Sequence, residues 1–415
     1  MASTISNAGY KFSDLAKNLR SSLIRELLKY ANVPGSVSFG GGVPDPETFP
    51  RNELAILAKE VIEKEYRFSL QYGVTEGDSQ LRSELLKMVR NFYNVSWINE
   101  ENILITVGSQ EALELVGKVF LDTDSYFIVG DPIYLGAASA FRMRNAKPIV
   151  ITLQDDGFDV DMLEAQLRHL NEKGEVNQLK FLYAVSNFQN PSGITISLEK
   201  RKRVLELADR YNFLIVEDDP YGALRYEGQP VKSMFSMGGF ERVMLLNTFS
   251  KILCPGLRIG VVIADKEIIR KLVMAKQGTD LCSSSLDQRL VARYLQRYDI
   301  FEHIKPTIEL YRKKRDAMLE ALSEHFSDIK GVKWTKPQGG LFIWLTLPEG
   351  YDTMEMFEMA KQEKVFYIPG EAFRLIDKPS SSMRLSFCLP SVEEIHEGIQ
   401  RLRGVVERYA KEKGL

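Results

Sequence analysis

A chain of 415 residues is too long for one simple core, because domains hold roughly 100–200 residues each, so two or three units are expected. Lys and Arg (54) nearly balance Asp and Glu (56), which leaves no basic field to argue for nucleic acid. The three dispersed cysteines, Cys254, Cys282 and Cys388, fit neither a disulfide framework nor a zinc pattern, and His169, His303, His325 and His396 lack ligand spacing, so no metal is expected.

No apolar run approaches the roughly 18 residues of a membrane helix, and Asp14 and Glu26 interrupt any targeting pattern. No membrane is expected as a partner, and the expected location is the cytoplasm. Residues 11–31 set Leu23, Ile24, Leu27 and Leu28 against Arg25, Glu26 and Lys29 at helical spacing, an amphipathic helix. Next come Gly40, Gly41 and Gly42 before Val43 and Pro44. Three glycines permit close main-chain approach to a ligand, but a tight turn is the simpler expectation. Helices over 51–66 and 78–93 flank a polar loop that carries Tyr72.

Seven apolar runs follow, separated by helical segments: 102–107, 126–130, 147–152, 179–185, 213–217, 243–247 and 259–264. Runs rich in Val, Ile and Leu without polar alternation are what a sheet covered on both faces requires, so the class is α/β. In such sheets ligands bind beyond the carboxyl ends of the strands, which makes the residues after each run the informative ones. After the first run, Gly108, Ser109 and Gln110 open a helix, where unpaired amides and a hydroxyl suit an anion as well as plain capping. Tyr134 follows the second run. The fourth leads into Asn190-Pro191-Ser192-Gly193, which turn chemistry alone explains. The fifth ends at Asp218-Asp219-Pro220-Tyr221, and adjacent carboxylates stay in solvent unless one faces a cation.

The sixth run ends at Thr248-Phe249-Ser250-Lys251, with Arg258 seven residues on. Lysine amines attack carbonyl groups once burial lowers their pKa, and hydroxyls beside a guanidinium suit a phosphate monoester. Beyond residue 285 the pattern changes to helices over 286–298 and 304–326. A smaller α/β unit then includes the run 341–345, helices over 353–363 and 392–411, and Arg384 inside an apolar strand. An inward arginine there needs an anion, from protein or ligand, and a salt bridge at the sheet edge competes evenly with that reading.

The ordered set Gly108-Ser109-Gln110, Tyr134, Asn190-Pro191-Ser192-Gly193, Asp218-Asp219-Pro220-Tyr221, Thr248-Phe249-Ser250-Lys251 with Arg258, and Arg384 resembles the fold-type I, class I/II pyridoxal-phosphate aminotransferases. Within them the chain is most similar to the 2-aminoadipate, kynurenine and aromatic branch, and the similarity spans essentially its whole length. Thr248 and Cys254 stand where the family more often has serine.

The resemblance implies a large domain with a seven-stranded, mostly parallel sheet at 45–300, a small domain at 301–415, and an N-terminal segment at 1–44 that packs with the small domain. It implies pyridoxal 5′-phosphate as cofactor. Lys251 would bind its aldehyde and move the substrate's Cα proton, and Asp218 would keep the pyridine nitrogen protonated. Tyr221 and Asn190 would bond the ring's phenolic oxygen, and Tyr134 would stack on the ring. Ser109, Gln110, Thr248, Ser250 and Arg258 would bind the phosphate, with Tyr72 reaching it from a second subunit of a homodimer with shared active sites. Arg384 and Asn190 would take the substrate carboxylate, Gly41 would approach through its backbone, and Arg25 would read a distal carboxylate.

The implied activity is ping-pong transfer of an amino group from an L-amino acid to a 2-oxo acid, with 2-oxoglutarate the expected acceptor. A β-lyase on the same fold is the alternative. A ligand-sensing regulator with a DNA-binding module is expected least, because the amphipathic helix begins within the first 15 residues.

Overall fold

All seven apolar runs form strands of one sheet in the computed structural model, which describes residues 10–13, 16, 33–375 and 378–415. The expected N-terminal helix and Arg25 lie outside the described residues. In chain order the strands are β1 (Val37–Ser38), β2 (Ile103–Val107), β3 (Tyr126–Asp131), β4 (Lys147–Gln154), β5 (Gly157–Phe158), β6 (Leu179–Val185), β7 (Leu214–Asp218), β8 (Val243–Thr248) and β9 (Ile259–Ile263). The large sheet has the order β2-β9-β8-β7-β6-β3-β4-β5, so it holds eight strands rather than the expected seven. The additional strand, β5, has two residues, too few for any periodicity to register.

Parallel pairing runs from β8 through β7, β6 and β3 to β4, while β9 is antiparallel to both β2 and β8. Connection length decides this. Helices such as Leu198–Tyr211 and Leu135–Arg142 carry the chain over between parallel neighbours, whereas only residues 249–258 separate β8 from β9. The central strands are buried throughout: β6 and β7 each have a single partly exposed position, and β9 has none. The parallel arrangement sets the carboxyl ends of β3, β6, β7 and β8 along one edge, and the antiparallel β9 enters that edge at Arg258.

Beyond the helix Ser285–Arg297 and the long helix Lys305–Phe326, the strands β10 (Lys333–Trp334), β11 (Phe342–Thr346), β12 (Val365–Phe366), β13 (Ile368–Pro369) and β14 (Ser382–Ser386) follow. A second sheet has the order β10-β11-β14-β13, all antiparallel, and Arg384 sits at its centre opposite Trp344 and Ile368. The helix Val392–Lys413, opened by a capping box between Ser391 and Glu394, packs on Lys305–Phe326. β1 pairs in parallel with β12 as a separate two-stranded ribbon, and a main-chain bond from Ser386 N to Phe39 O (2.8 Å) ties the N-terminal segment to β14 of the second sheet. Main-chain bonds Tyr226 N to Gln338 O (2.8 Å), Gly340 N to Leu224 O (2.9 Å) and Ile133 N to Phe373 O (2.9 Å) join the two sheets beside the crevice between them. Among the described residues no helix is long and apolar enough to cross a membrane.

Candidate active site

Lys251 leaves the end of β8 partly buried and donates from Nζ to the carbonyl of Gly42 at 2.9 Å. Burial, with Arg384 and Arg258 nearby, pulls its pKa down to about 8, so a neutral amine is accessible near physiological pH. Asp218 closes β7 with 2% of its surface exposed, and Asp219 beside it has 3%, so the pair does not stay in solvent as adjacent carboxylates normally do. Each carboxylate has its own holders. Tyr183 donates to Asp218 Oδ2 at 2.8 Å, while Tyr93 and Asn187 each donate to Asp219 at 2.8 Å. Burial and the Asp219 charge raise Asp218 to about 7, against the hydrogen bond from Tyr183. Its Oδ1 is buried with no hydrogen-bond partner.

Arg384 is 3% exposed, which settles the competing expectation of an edge salt bridge against it. Nη1 donates to Asn190 Oδ1 at 2.9 Å and Nη2 to Gly40 O at 2.7 Å, and the guanidinium lies over the rings of Phe342 (4.4 Å) and Phe373 (5.0 Å). Burial lowers its pKa to about 10, and among the described residues it has no carboxylate partner. Asn190 also bonds Tyr221, whose buried phenol has its pKa pushed upward. The Asn190-Pro191 peptide is cis.

The three glycines do not form the expected turn. None has a positive φ, and their main chain crosses the site, with Gly40 O against Arg384 and Gly42 O against Lys251. A Cβ on Gly42 would meet the Phe342 ring at 3.0 Å, and one on Gly41 would meet Leu389 at 3.3 Å. Close approach is therefore the reason for glycine here. The two bonded carbonyls belong to the neighbours of Gly41, the residue singled out from the sequence.

At the other end of the crevice the helix Gly108–Phe120 begins without a side-chain cap, and Ser109 Oγ has no hydrogen-bond partner. Gly108 takes φ +70°, and a Cβ there would lie 2.5 Å from Arg258 Nη2. Pairing of Val107 with Ile259 and Thr106 with Gly260 brings this helix start against Arg258, which is exposed and without a carboxylate partner among the described residues. Thr248 Oγ1 donates to Ser250 Oγ at 3.0 Å, and Gln110 Nε2 donates to Gly136 O at 3.0 Å. Tyr134, partly buried, faces Asp218, Arg384 and Arg258, and burial raises its pKa. Tyr72 is 80% exposed and meets none of these groups in its own chain.

These groups fit pyridoxal phosphate at both ends. A buried carboxylate oxygen lacking a partner suits a protonated ring nitrogen, and an uncapped helix N-terminus with an unpartnered hydroxyl and a guanidinium that meets only main-chain carbonyls suits a phosphate. Reading the sequence did not find Tyr183, Asn187, Phe342 or Phe373. All four look like core or turn residues until their partners, far along the chain, are known. Among the described residues no cluster of His, Cys, Asp and Glu could hold a metal.

Residues 46–402 match the family model for aminotransferase class I and II. The aromatic-amino-acid aminotransferase 1 of Thermococcus litoralis is 44% identical over 96% of this chain and 95% of its own length. The 2-aminoadipate transaminase of Thermus thermophilus is 37% identical over 94% of this chain and 95% of its own. The structure of Pyrococcus horikoshii kynurenine aminotransferase superposes with a TM-score of 0.93 at 43% identity, covering 98% of this chain and 99% of that one. With that extent of agreement in sequence and fold, the chain belongs to the class I and II aminotransferases, the fold-type I enzymes that work with pyridoxal phosphate.

Proposed function

We propose that the protein transfers the amino group of a broad set of L-amino acids, among them 2-aminoadipate, aromatic amino acids and kynurenine, to 2-oxoglutarate in a ping-pong cycle. The observation that carries this reading is the convergence on one crevice of an amine with a lowered pKa (Lys251), a buried carboxylate oxygen without a partner (Asp218) and a buried guanidinium without a carboxylate (Arg384). Relatives named for aromatic, 2-aminoadipate and kynurenine substrates support the range.

Pyridoxal phosphate, when bound, supplies an aldehyde that takes up amino groups and an electron-poor ring that draws electrons from the substrate's Cα. Lys251 would hold the cofactor by its aldehyde through a neutral amine, and the same amine is the base placed to carry the substrate's Cα proton. Asp218 would keep a proton on the pyridine nitrogen. Tyr221 and Asn190 would hold the phenolic oxygen, and Tyr134 would cover the ring face. Arg384 takes the α-carboxylate through the two Nη groups that now meet Asn190 and Gly40, with Gly41 lining that subsite. Ser109, Gln110, Thr248, Ser250 and Arg258 would hold the phosphate.

On the same reading the working form is a homodimer in the cytoplasm, with Tyr72 of each copy reaching the phosphate in the other. Exposed Phe68 in the last turn of the helix Arg51–Ser69, and exposed Leu70, Tyr72 and Val74 in the loop after it, favour a covered surface there. Residues 45–300 carry the cofactor, while 1–44 and 301–415 close over the substrate.

The test is single-turnover mixing of the loaded enzyme with a panel of L-amino acids, followed by 2-oxoglutarate. Stoichiometric formation of the matching 2-oxo acid, and return of the starting spectrum with 2-oxoglutarate, is the expected result. Pyruvate and ammonia from a β-substituted amino acid without any acceptor would point to the lyase instead. In the same panel Arg25→Ala should weaken dicarboxylic substrates far more than aromatic ones, and equal losses would remove Arg25 from the distal-carboxylate role.

A further inference from the structure

The second oxygen of Asp218 is held by a side chain that the strand pattern hides. Val185 on β6 stands opposite Asp218 on β7, and Tyr183, two residues earlier, projects from the same face of the sheet. Its ring is 3% exposed and packs edge-on against Phe141 at 5.6 Å, and its hydroxyl reaches Asp218 Oδ2 at 2.8 Å. A phenol has one proton to donate, so the hydrogen bond fixes the hydroxyl and leaves Oδ1 as the remaining acceptor edge. Burial and the like charge of Asp219 both favour a proton on Asp218, while Tyr134 and Tyr221 face it as neutral phenols. Among the described residues Tyr183 is the one hydrogen-bond donor to this carboxyl.

We propose that Tyr183 is a positioning residue for the reaction: by donating to Oδ2 it aims Oδ1 at the pyridine nitrogen and keeps the carboxyl ionised, the form able to hold a proton on that nitrogen. The inference rests on Asp218 facing the nitrogen, and the test separates the two. Tyr93 provides an internal comparison, because its phenol makes the equivalent bond, also at 2.8 Å, to Asp219.

Binding of pyridoxal phosphate to the Lys251→Ala apoprotein, which removes the titration of the lysine from every measurement, followed by intrinsic fluorescence across pH, is the readout. In that background affinity should fall as pH drops through about 7, where Asp218 takes up a proton. In Tyr183→Phe that acid limb should move up by about one pH unit, a tenfold loss of affinity on its acid side. Tyr93→Phe should leave the limb where it is or lower it. Should Tyr183→Phe not fold, 3-fluorotyrosine at position 183 keeps the ring, is the stronger donor, and should move the limb down. An unmoved limb in the position-183 variants, or an equal upward move in Tyr93→Phe, overturns the proposal. Persistence of the limb in Asp218→Asn is a different failure, since it removes Asp218 from the nitrogen altogether.

Discussion

The two ends of the crevice are built on different principles. At the ring end, Asp218, Asn190, Tyr221 and Arg384 are each at most 5% exposed, and Lys251, Asp218 and Arg384 all have pKa values moved by burial. At the phosphate end Gln110 and Arg258 are exposed, and the donors are hydroxyls and main-chain amides at a helix start. Low dielectric makes each ionisable group at the ring end indispensable, because its charge state is the chemistry. On the proposed reading several modest donors would share one dianion at the phosphate end, so that no single one carries the load. Removing single groups from each end should therefore give losses of different kind as well as size.

The largest loss belongs to Lys251→Ala, which should cut turnover by ~10⁴-fold or more by removing both nucleophile and proton carrier. Equilibrium dialysis should find pyridoxal phosphate still held by the intact phosphate end; loss of all binding would make the two ends one unit. Arg384→Gln comes next, with kcat/KM falling about 10²–10³-fold for every amino acid and cofactor affinity unchanged, as steady-state kinetics over several substrates would read. A pH series sharpens the contrast further. With Lys251 at about 8, the rate at which apoprotein takes up pyridoxal phosphate should rise about tenfold per pH unit below that value and level off above it, because only the deprotonated amine reacts. A flat profile would show that the amine is already neutral. Ser109→Ala should have the smallest effect, about tenfold or less in cofactor affinity with unchanged turnover at saturation.

What the sequence made legible follows the same divide. The proposed phosphate end is local: Gly108-Ser109-Gln110 follow β2, Arg258 precedes β9, and the two strands are neighbours, so residues singled out after separate apolar runs stand side by side in the structure. The ring end is assembled across distance. Asp218 and Lys251 were readable because one ends a strand and the other follows one closely, but Tyr183 lies inside β6 and looks like core, and Asn187 looks like one more turn residue. Only register, Val185 opposite Asp218, brings Tyr183 to its partner, and no periodicity in a single strand contains register. The glycine segment was misread for a related reason, since three glycines serve a turn or a close approach equally well until Phe342 is known to lie against Gly42. The two-residue β5 was too short to read.

The pairing of β1 with β12 has a mechanical consequence. Val37 and Ser38 are hydrogen-bonded to the chain that leads into the second sheet, so Gly40 and Gly42, a few residues on, ride with that sheet as cargo. Arg384 belongs to the same sheet and travels with Gly40, whereas Lys251 is anchored in the large one. Without the cofactor, Arg384 to Gly40 is thus a bond within one body of the molecule, whereas Lys251 to Gly42 is a clasp that spans the crevice from one sheet's side to the other's.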